Sequence, residues 1–271
     1  MPATSQEIAA AEAYEALHVP ALFREWAPLV VSAARLRAGD RILDVACGTG
    51  VLAREAWRRF GDASPISGLD ADAGMLAVAE RLTPSVAWRQ GVAESLPYED
   101  ASFDAVVSQF GLMFFRDRRR AIREMLRVAA PGGRIVVAVW DSLDNNEAYP
   151  LVVDLLERRA GREAADALRA PFALGDRKPL LKMFESAGAV SADISTRRGR
   201  ARFPGVRPMV EADLRGWLPV MGVLLSDDLI GAILNEAEQI LGRFVTESGQ
   251  VAFDTSAHVL TTRAVTATPQ L

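Results

Sequence analysis

One cysteine and two histidines among 271 residues leave little room for several kinds of chemistry. Cys47 has no partner for an internal disulfide, so no disulfide framework is expected and the chain reads as cytoplasmic. His18 and His258 stand 240 positions apart, and the carboxylates show neither EF-hand nor zinc-site spacing, so no metal is expected. Charge of one sign is also lacking. The balance of 31 basic against 35 acidic residues gives a net charge of −4, which offers no global field for a polyanion and disfavours nucleic acid as a partner. No stretch of roughly 18 uncharged apolar residues occurs, and MPATSQEIAAAEAYE has no basic region of the kind that opens an export signal, so neither a membrane span nor export is expected. Internal repeats and low-complexity tracts are absent as well.

What the chain does have is apolar residues, at half of its positions. That supports a sizeable core, and one domain is expected over 1–271, with core segments 37–142, 179–200 and 250–265 and a helical lid or cap from 1–36, 143–178 and 201–249. The organising stretch is RILDVACGTG at 41–50. Ile42, Leu43 and Val45 suit a strand covered on both faces, while Gly48 and Gly50 permit positive φ and close approach of a ligand. A nucleotide-like ligand is expected at this turn, facing the N-terminus of a helix over 51–60.

Taken in order, 5–36 carries apolar residues at helical spacing broken by Pro20 and Pro28, which predicts two or three short helices. Tyr14 and His18 are four apart and share a helix face. Strands are expected at 66–70, 86–90, 103–108 and 134–140, the last entered through the turn Pro131–Gly133, with helices at 72–82 and 117–128 between them. This alternation predicts a parallel α/β sheet with right-handed crossovers. Asp70 ends the second strand about twenty residues after the turn, where a carboxylate accepts both vicinal hydroxyls of a ribose. The run RDRRR at 116–120 reads as a solvated helix start rather than an anion site. Beyond Trp140, helices are expected at 143–171, 179–188 and 208–241, a strand or strand pair at 189–204 and a last strand at 251–262.

A glycine turn with a distant acid fits both a dinucleotide and S-adenosylmethionine. The spacing DxxxGxG from Asp44 to Gly50 does not separate them, because Ala53 stands where a dinucleotide site wants its third small residue. The segments GVAESLP and SQFGLMFF on either side of the fourth strand add the missing detail. With ILDVACGTG, GLDADAGML, GVAESLPYEDASFDAVVSQFGLMFF and the PGGR turn, the chain resembles the class I S-adenosylmethionine-dependent methyltransferases. Within them it resembles the small-molecule group that includes ubiquinone and menaquinone C-methyltransferases. The resemblance is dense over Arg41–Trp140 and thin outside it. It implies a Rossmann-like, doubly wound sheet of seven strands, the last antiparallel, with N-terminal helices and a helical cap insertion.

Carried over by position, the resemblance implies that the backbone of Ala46, Gly48 and Gly50 meets the methionine moiety while Asp44 holds its ammonium group. Asp70 takes the ribose, Ala71 and Met75 flank the adenine, Ala93 meets the ring edge, and Ser108, Gln109 and Phe110 close over the methionine. Relatives usually carry Asp where this chain has Val92, and that carboxylate accepts a hydrogen bond from the adenine amino group. Its loss costs about 1.5–3 kcal/mol of affinity unless Glu94 or water substitutes.

Displacement at a sulfonium methyl relies on alignment, and a strong base is optional. For a phenol or enol acceptor, His18 and His258 are the candidate bases, while Tyr14 is a candidate for covering the sulfonium through a cation–π contact or for excluding water. The N/D-P-P-Y/F motif that orients amine acceptors in resembling enzymes is replaced by SQFG, which argues for a carbon, oxygen or less demanding nitrogen acceptor, with carbon or oxygen favoured. FGLMFF with Trp217 and Met221 suits an apolar or aromatic small molecule. The expected function is therefore methyl transfer to such a metabolite. A cofactor-binding partner subunit without catalysis and a dinucleotide-dependent dehydrogenase stand as alternatives, and the oligomeric state is left open between monomer and homodimer.

Overall fold

The computed structural model describes residues 3–265; Met1, Pro2 and 266–271, the ends of the expected 1–271 unit, lie outside the described residues. The chain begins with α1 (Ser5–His18), a π-helical turn (Val19–Phe23) and α2 (Ala27–Ala33). There follow β1 (Ile42–Val45), α3 (Val51–Phe60), β2 (Ile66–Asp70), α4 (Ala73–Leu82), β3 (Ala87–Gln90), β4 (Phe103–Gln109), α5 (Arg118–Val128) and β5 (Ala129–Trp140). Between β5 and the next strand lie α6 (Tyr149–Ala160), α7 (Arg162–Arg169) and α8 (Arg177–Ser186). The chain then forms β6 (Val190–Phe203), α9 (Val206–Ala212), a second π-helical turn (Asp213–Trp217), α10 (Leu218–Val220), α11 (Asp227–Ile240) and β7 (Val251–Arg263).

The strands form one seven-stranded sheet in the order β3-β2-β1-β4-β5-β7-β6. The first five strands are parallel, and β7 runs antiparallel to both β5 and β6, as the resemblance implies. Every residue of β1 is buried, as are Ile135 to Trp140 of β5. A strand covered by helices on both faces has no solvent side, so its apolar run is continuous rather than alternating. The expected strand or strand pair at 189–204 is the single strand β6, paired with β7 apart from a bulge between Val190 and Asp193.

One local expectation is corrected. Pro131–Gly133 does not precede β5 but interrupts its ladder: Ala129 pairs with Phe103, and pairing resumes with Arg134 opposite Ala105. Gly132 takes φ of 75° and donates its N–H to the Ala264 carbonyl at 3.1 Å, so the strand bulges without ending.

Local chemistry sets the helix starts. At α1 Thr4 and Glu7 form a reciprocal capping box, while Asp72 and Asp117 accept from the backbone of Met75 and Arg120 at the starts of α4 and α5. Helix α1 crosses the beginning of α4, where a Cβ on Gly74 would lie 2.5 Å from the Glu7 carbonyl oxygen. Glycine there is what lets the N-terminal helix lie close over the carboxyl edge of the sheet. Among the described residues no helix is long and apolar enough to cross a membrane.

Candidate active site

The carboxyl ends of β1 and β4 lie side by side, and both break with a residue in the left-handed region. Ala46 and Phe110 each have φ of 57°, a conformation costing a non-glycine residue roughly 1–2 kcal/mol. Strain of this kind concentrates where a site over-determines the backbone. The turn continues through Gly48 and Gly50, with φ of 55° and 87°. Their amides are spoken for: Gly48 donates to Asp70 Oδ2 at 2.8 Å and Gly50 to the Cys47 carbonyl at 2.8 Å. The bareness of Gly50 also has an intramolecular reason. A Cβ there would meet the Trp88 ring at 2.4 Å, and one on Gly68 would meet the same ring at 2.2 Å. Gly48 faces open space instead, with nothing within 4 Å of where its Cβ would be.

A buried carboxylate, Asp44, and a half-buried one, Asp70, flank this turn. Asp44 is 1% exposed; its Oδ2 accepts from the Ala53 N–H at 3.0 Å, and its Oδ1 has no partner. Burial pushes its pKa up to about 8 against the pull of the Ala53 N–H, and the charge of Asp70 adds to the rise. Asp70 is also raised, by burial first, although it accepts from the N–H groups of Asp72 at 2.9 Å and Gly48 at 2.8 Å. Each carboxylate oxygen keeps a second lone pair for a ligand. Buried Ser108 Oγ is unpartnered, and Gln109 donates to the Phe23 carbonyl at 3.0 Å while its own Oε1 is free. A turn with two carboxyl groups that have no cation beside them, and with unmet oxygens on Asp44, Ser108 and Gln109, fits a ligand that brings an ammonium group and a ribose, as S-adenosylmethionine does.

Around the far end, Ala71 is exposed and accepts from Gln90 at 3.0 Å, Met75 is half-buried, and Ala93 is buried. Val92 is 49% exposed. The neighbouring Glu94 is committed elsewhere: its Oε1 accepts from the backbone of Arg116 at 2.8 Å and Asp117 at 3.2 Å. It ties two loops together and is a poor substitute for the carboxylate that Val92 replaces.

Helix α1 closes over this edge. Glu15 accepts from Thr49 Oγ1 at 2.6 Å and from both sides of its carboxylate engages Arg54 Nη2 at 2.8 Å. This latches α1 to the glycine turn itself. Tyr14, one residue earlier, is driven well above the ordinary phenol range by burial and then by the charges of Asp70 and Glu15. Its ring stacks on His18 and on Phe23, 5.5 Å between centroids in each case, and Phe23 continues to Phe110 and Trp140, which stack at 4.0 Å. His18 Nε2 faces Asp213 Oδ1 across 4.0 Å.

The other sequence candidates separate. His258 lies apart from this cluster, on β7 opposite Val139. Its Nδ1 meets Thr196 Oγ1 at 3.0 Å and its Nε2 meets the Gly175 carbonyl at 2.9 Å and Asp141 Oδ1 at 3.1 Å. With both ring nitrogens engaged and 2% exposure, it has no free site for a proton from a substrate, and its geometry is that of a structural residue. Leu112 and Met113 of the FGLMFF segment sink into the core, whereas Phe114 reaches Trp217 at 5.0 Å and joins the loop to the cap. Met221 stays 39% exposed. Arg116, Arg119 and Arg120 are exposed, and Arg118 donates to the Met113 carbonyl. No cluster of three or more metal-ligating side chains occurs among the described residues.

Sequence reasoning misses Asp213, Glu15, Thr49, Arg54 and Trp88. Each acts across 34 or more positions with no local motif, except Trp88, whose partner Gly68 sits opposite it only once β2 and β3 pair.

The methyltransferase-domain family profile matches residues 43–137. Demethylmenaquinone methyltransferase of Renibacterium salmoninarum is 43% identical over 116 residues, covering 42% of this chain and 47% of the relative. The ubiquinone/menaquinone biosynthesis C-methyltransferase UbiE of Hahella chejuensis is 32% identical over 186 residues, covering 62% of this chain and 74% of the relative. The match to the first of these spans about half of the relative's length, 47%. Among solved structures, the YcgJ protein of Bacillus subtilis superposes with a TM-score of 0.59 at 21% identity, over 89% of this chain and 98% of that one. The [4+2]-cyclase SpnF superposes with a TM-score of 0.55 at 24% identity, over 90% and 82%. At these identities the structural likeness is one of fold.

Proposed function

The chain belongs to the class I S-adenosylmethionine-dependent methyltransferases, and from that premise we propose that it methylates a carbon or oxygen of a small apolar or aromatic metabolite. The observation that carries this reading is Asp44, a buried carboxylate with one oxygen unpartnered and no cation, beside Asp70 at the glycine turn. Bound there, the cofactor supplies a methyl group already activated on a sulfonium. The protein's part is to hold, align and exclude water.

In this reading Asp44 takes the ammonium group, the free face of Gly48 admits the methionine backbone, and Asp70 takes the ribose hydroxyls. Ala46, Ser108, Gln109 and Phe110 border the methionine end, while Ala71, Met75, Val92 and Ala93 border the adenine. The Glu15 latch to Thr49 and Arg54 holds α1 across the opening and places the Tyr14 ring near the charged centre. His18, on the lid and half-buried, is the candidate base. The aromatic series Tyr14, Phe23, Phe110 and Trp140 supports a planar apolar acceptor rather than a polyanion, in line with the net charge of −4. The helices within 1–36, 143–178 and 201–249 are read as lid and cap of one catalytic unit acting in the cytoplasm.

The test is transfer of radiolabelled methyl from S-adenosylmethionine to a panel of phenols, naphthols, quinols and amines. The reading expects label in hydroxylated or quinol rings. Binding of S-adenosylhomocysteine without label in any acceptor would favour a non-catalytic partner subunit.

A further inference from the structure

Asp213 opens the π-helical turn Asp213–Trp217 of the cap and is 5% exposed. Its Oδ1 faces His18 Nε2 at 4.0 Å and its Oδ2 has no partner. Burial raises its pKa, with His18 pulling the other way. His18 ends the lid helix α1, and its Nδ1 is buried without a partner. Tyr149 on α6 is buried and is pushed up by burial and then by the charge of Asp213. Two elements distant in sequence thus bring an imidazole and a carboxylate together, each with a buried atom that has no partner among the described residues, and the charge of the carboxylate reaches Tyr149.

A structural pair would not be built this way. Leaving buried polar atoms unmet costs about 1–3 kcal/mol each, and titratable groups left so are candidates for function. The 4.0 Å separation is ion-pair rather than hydrogen-bond range, and catalytic contacts are often long until a substrate is present.

We propose that Asp213 positions His18 for proton transfer and that the acceptor carries an acidic hydroxyl on an aromatic or enol ring, a proposal that rests on the methyltransferase reading above. Asp213 holds the Nε2–H side of the imidazole, which turns Nδ1 toward the acceptor hydroxyl. As the O–H bond breaks, its proton passes to His18 Nδ1 and its electron pair stays on the acceptor. That pair, on oxygen or delocalised to ring carbon, forms the new bond to the methyl group while the sulfur keeps the pair of the bond it loses. The resulting imidazolium faces Asp213. The titratable groups facing the pair are Tyr14 from α1 and Tyr149 from α6, both held neutral by burial first.

The experiment uses 4-nitrophenol as probe on the full chain saturated with S-adenosylhomocysteine, at a pH below the probe's own ionisation where the free phenol is colourless. The wild type is expected to bind it as the coloured phenolate. His18→Gln and Asp213→Asn are expected to lower the bound phenolate fraction about tenfold, one unit of proton affinity. Asp213→Glu should restore part of it, and S-adenosylhomocysteine affinity should stay within about twofold in all three, as expected of separate sites. Binding of the neutral phenol by the wild type, no binding of the probe, or an unchanged phenolate signal in Asp213→Asn would overturn the proposal. Loss of S-adenosylhomocysteine binding in Asp213→Asn would do so too, by assigning the residue to the fold. A wild type that fails to bind S-adenosylhomocysteine would instead contradict the cofactor reading.

Discussion

Two aspartate–histidine pairs lie in this molecule, one at the β5–β7 junction and one between α1 and the π-helical turn after α9, and they differ in everything but composition and burial. Asp141 and Asp213 are 6% and 5% exposed. Asp141 accepts from Ser256 Oγ at 2.7 Å, the Ser142 N–H at 2.7 Å and Asn145 Nδ2 at 3.0 Å, and stands 3.1 Å from His258. Burial raises its pKa, but these donors outweigh burial and hold it below the usual carboxylate range. Asp213 has His18 at 4.0 Å and an idle oxygen, and burial wins. A buried carboxylate surrounded by donors fastens two segments together. One left short of donors keeps hydrogen-bonding capacity for a ligand, and Asp44 at the glycine turn belongs to that second kind.

The largest effect that sharpens this contrast is expected at the first pair. Asp141→Ala leaves buried Ser256 Oγ without its acceptor and takes the carboxylate from buried His258, and it should cost about 3–5 kcal/mol in urea unfolding. A loss below about 1 kcal/mol would erase the distinction.

The smaller effect lies in the pH dependence of the second pair. The folded-state pKa of Asp213 is raised above its unfolded value, so the folded chain holds a proton that the unfolded chain gives up. Its contribution to stability therefore falls as pH rises from the unfolded value, near 3.8, toward the folded one. Asp141 has the opposite sign: its stabilisation is present above 3.8 and is lost as pH falls through its lower folded value. Asp213→Asn should leave stability at neutral pH within about 1 kcal/mol of wild type and flatten this fall. Denaturant midpoints between acid and neutral pH would read both slopes, and a steep loss of stability in Asp213→Asn would place it with Asp141.

The parallel sheet was legible because its signals are local. Apolar runs of strand length alternate with capped helices, and DxxxGxG with Asp70 marks the carboxyl edge without reference to distant residues. Residues that the fold gathers at the glycine turn, such as Asp44 and Asp70, were legible for the same reason. The acceptor side was not. His18 and His258 are indistinguishable by pattern, since one is made structural by Thr196, Gly175 and Asp141 and the other is left open by Asp213, all of them more than 60 positions away. Gly50 was read as ligand space, yet part of its demand comes from Trp88, which a single strand cannot show. Glu94 was a candidate to replace the carboxylate missing at Val92, and only the folded chain shows it spent on Arg116 and Asp117.

The central claim rests on Asp44 as a carboxylate that waits for a cation. Calorimetric titration with S-adenosylhomocysteine at pH 7, in two buffers of different ionisation enthalpy, tests it most directly. With its pKa pushed up to about 8, Asp44 is mostly protonated before binding and ionises against the ligand's ammonium group. The account predicts saturable binding with release of about one proton by the wild type. In Asp44→Asn it predicts affinity weakened about tenfold or more and no such release. No saturable binding at millimolar ligand, or wild-type binding with the same proton count as Asp44→Asn, would contradict it.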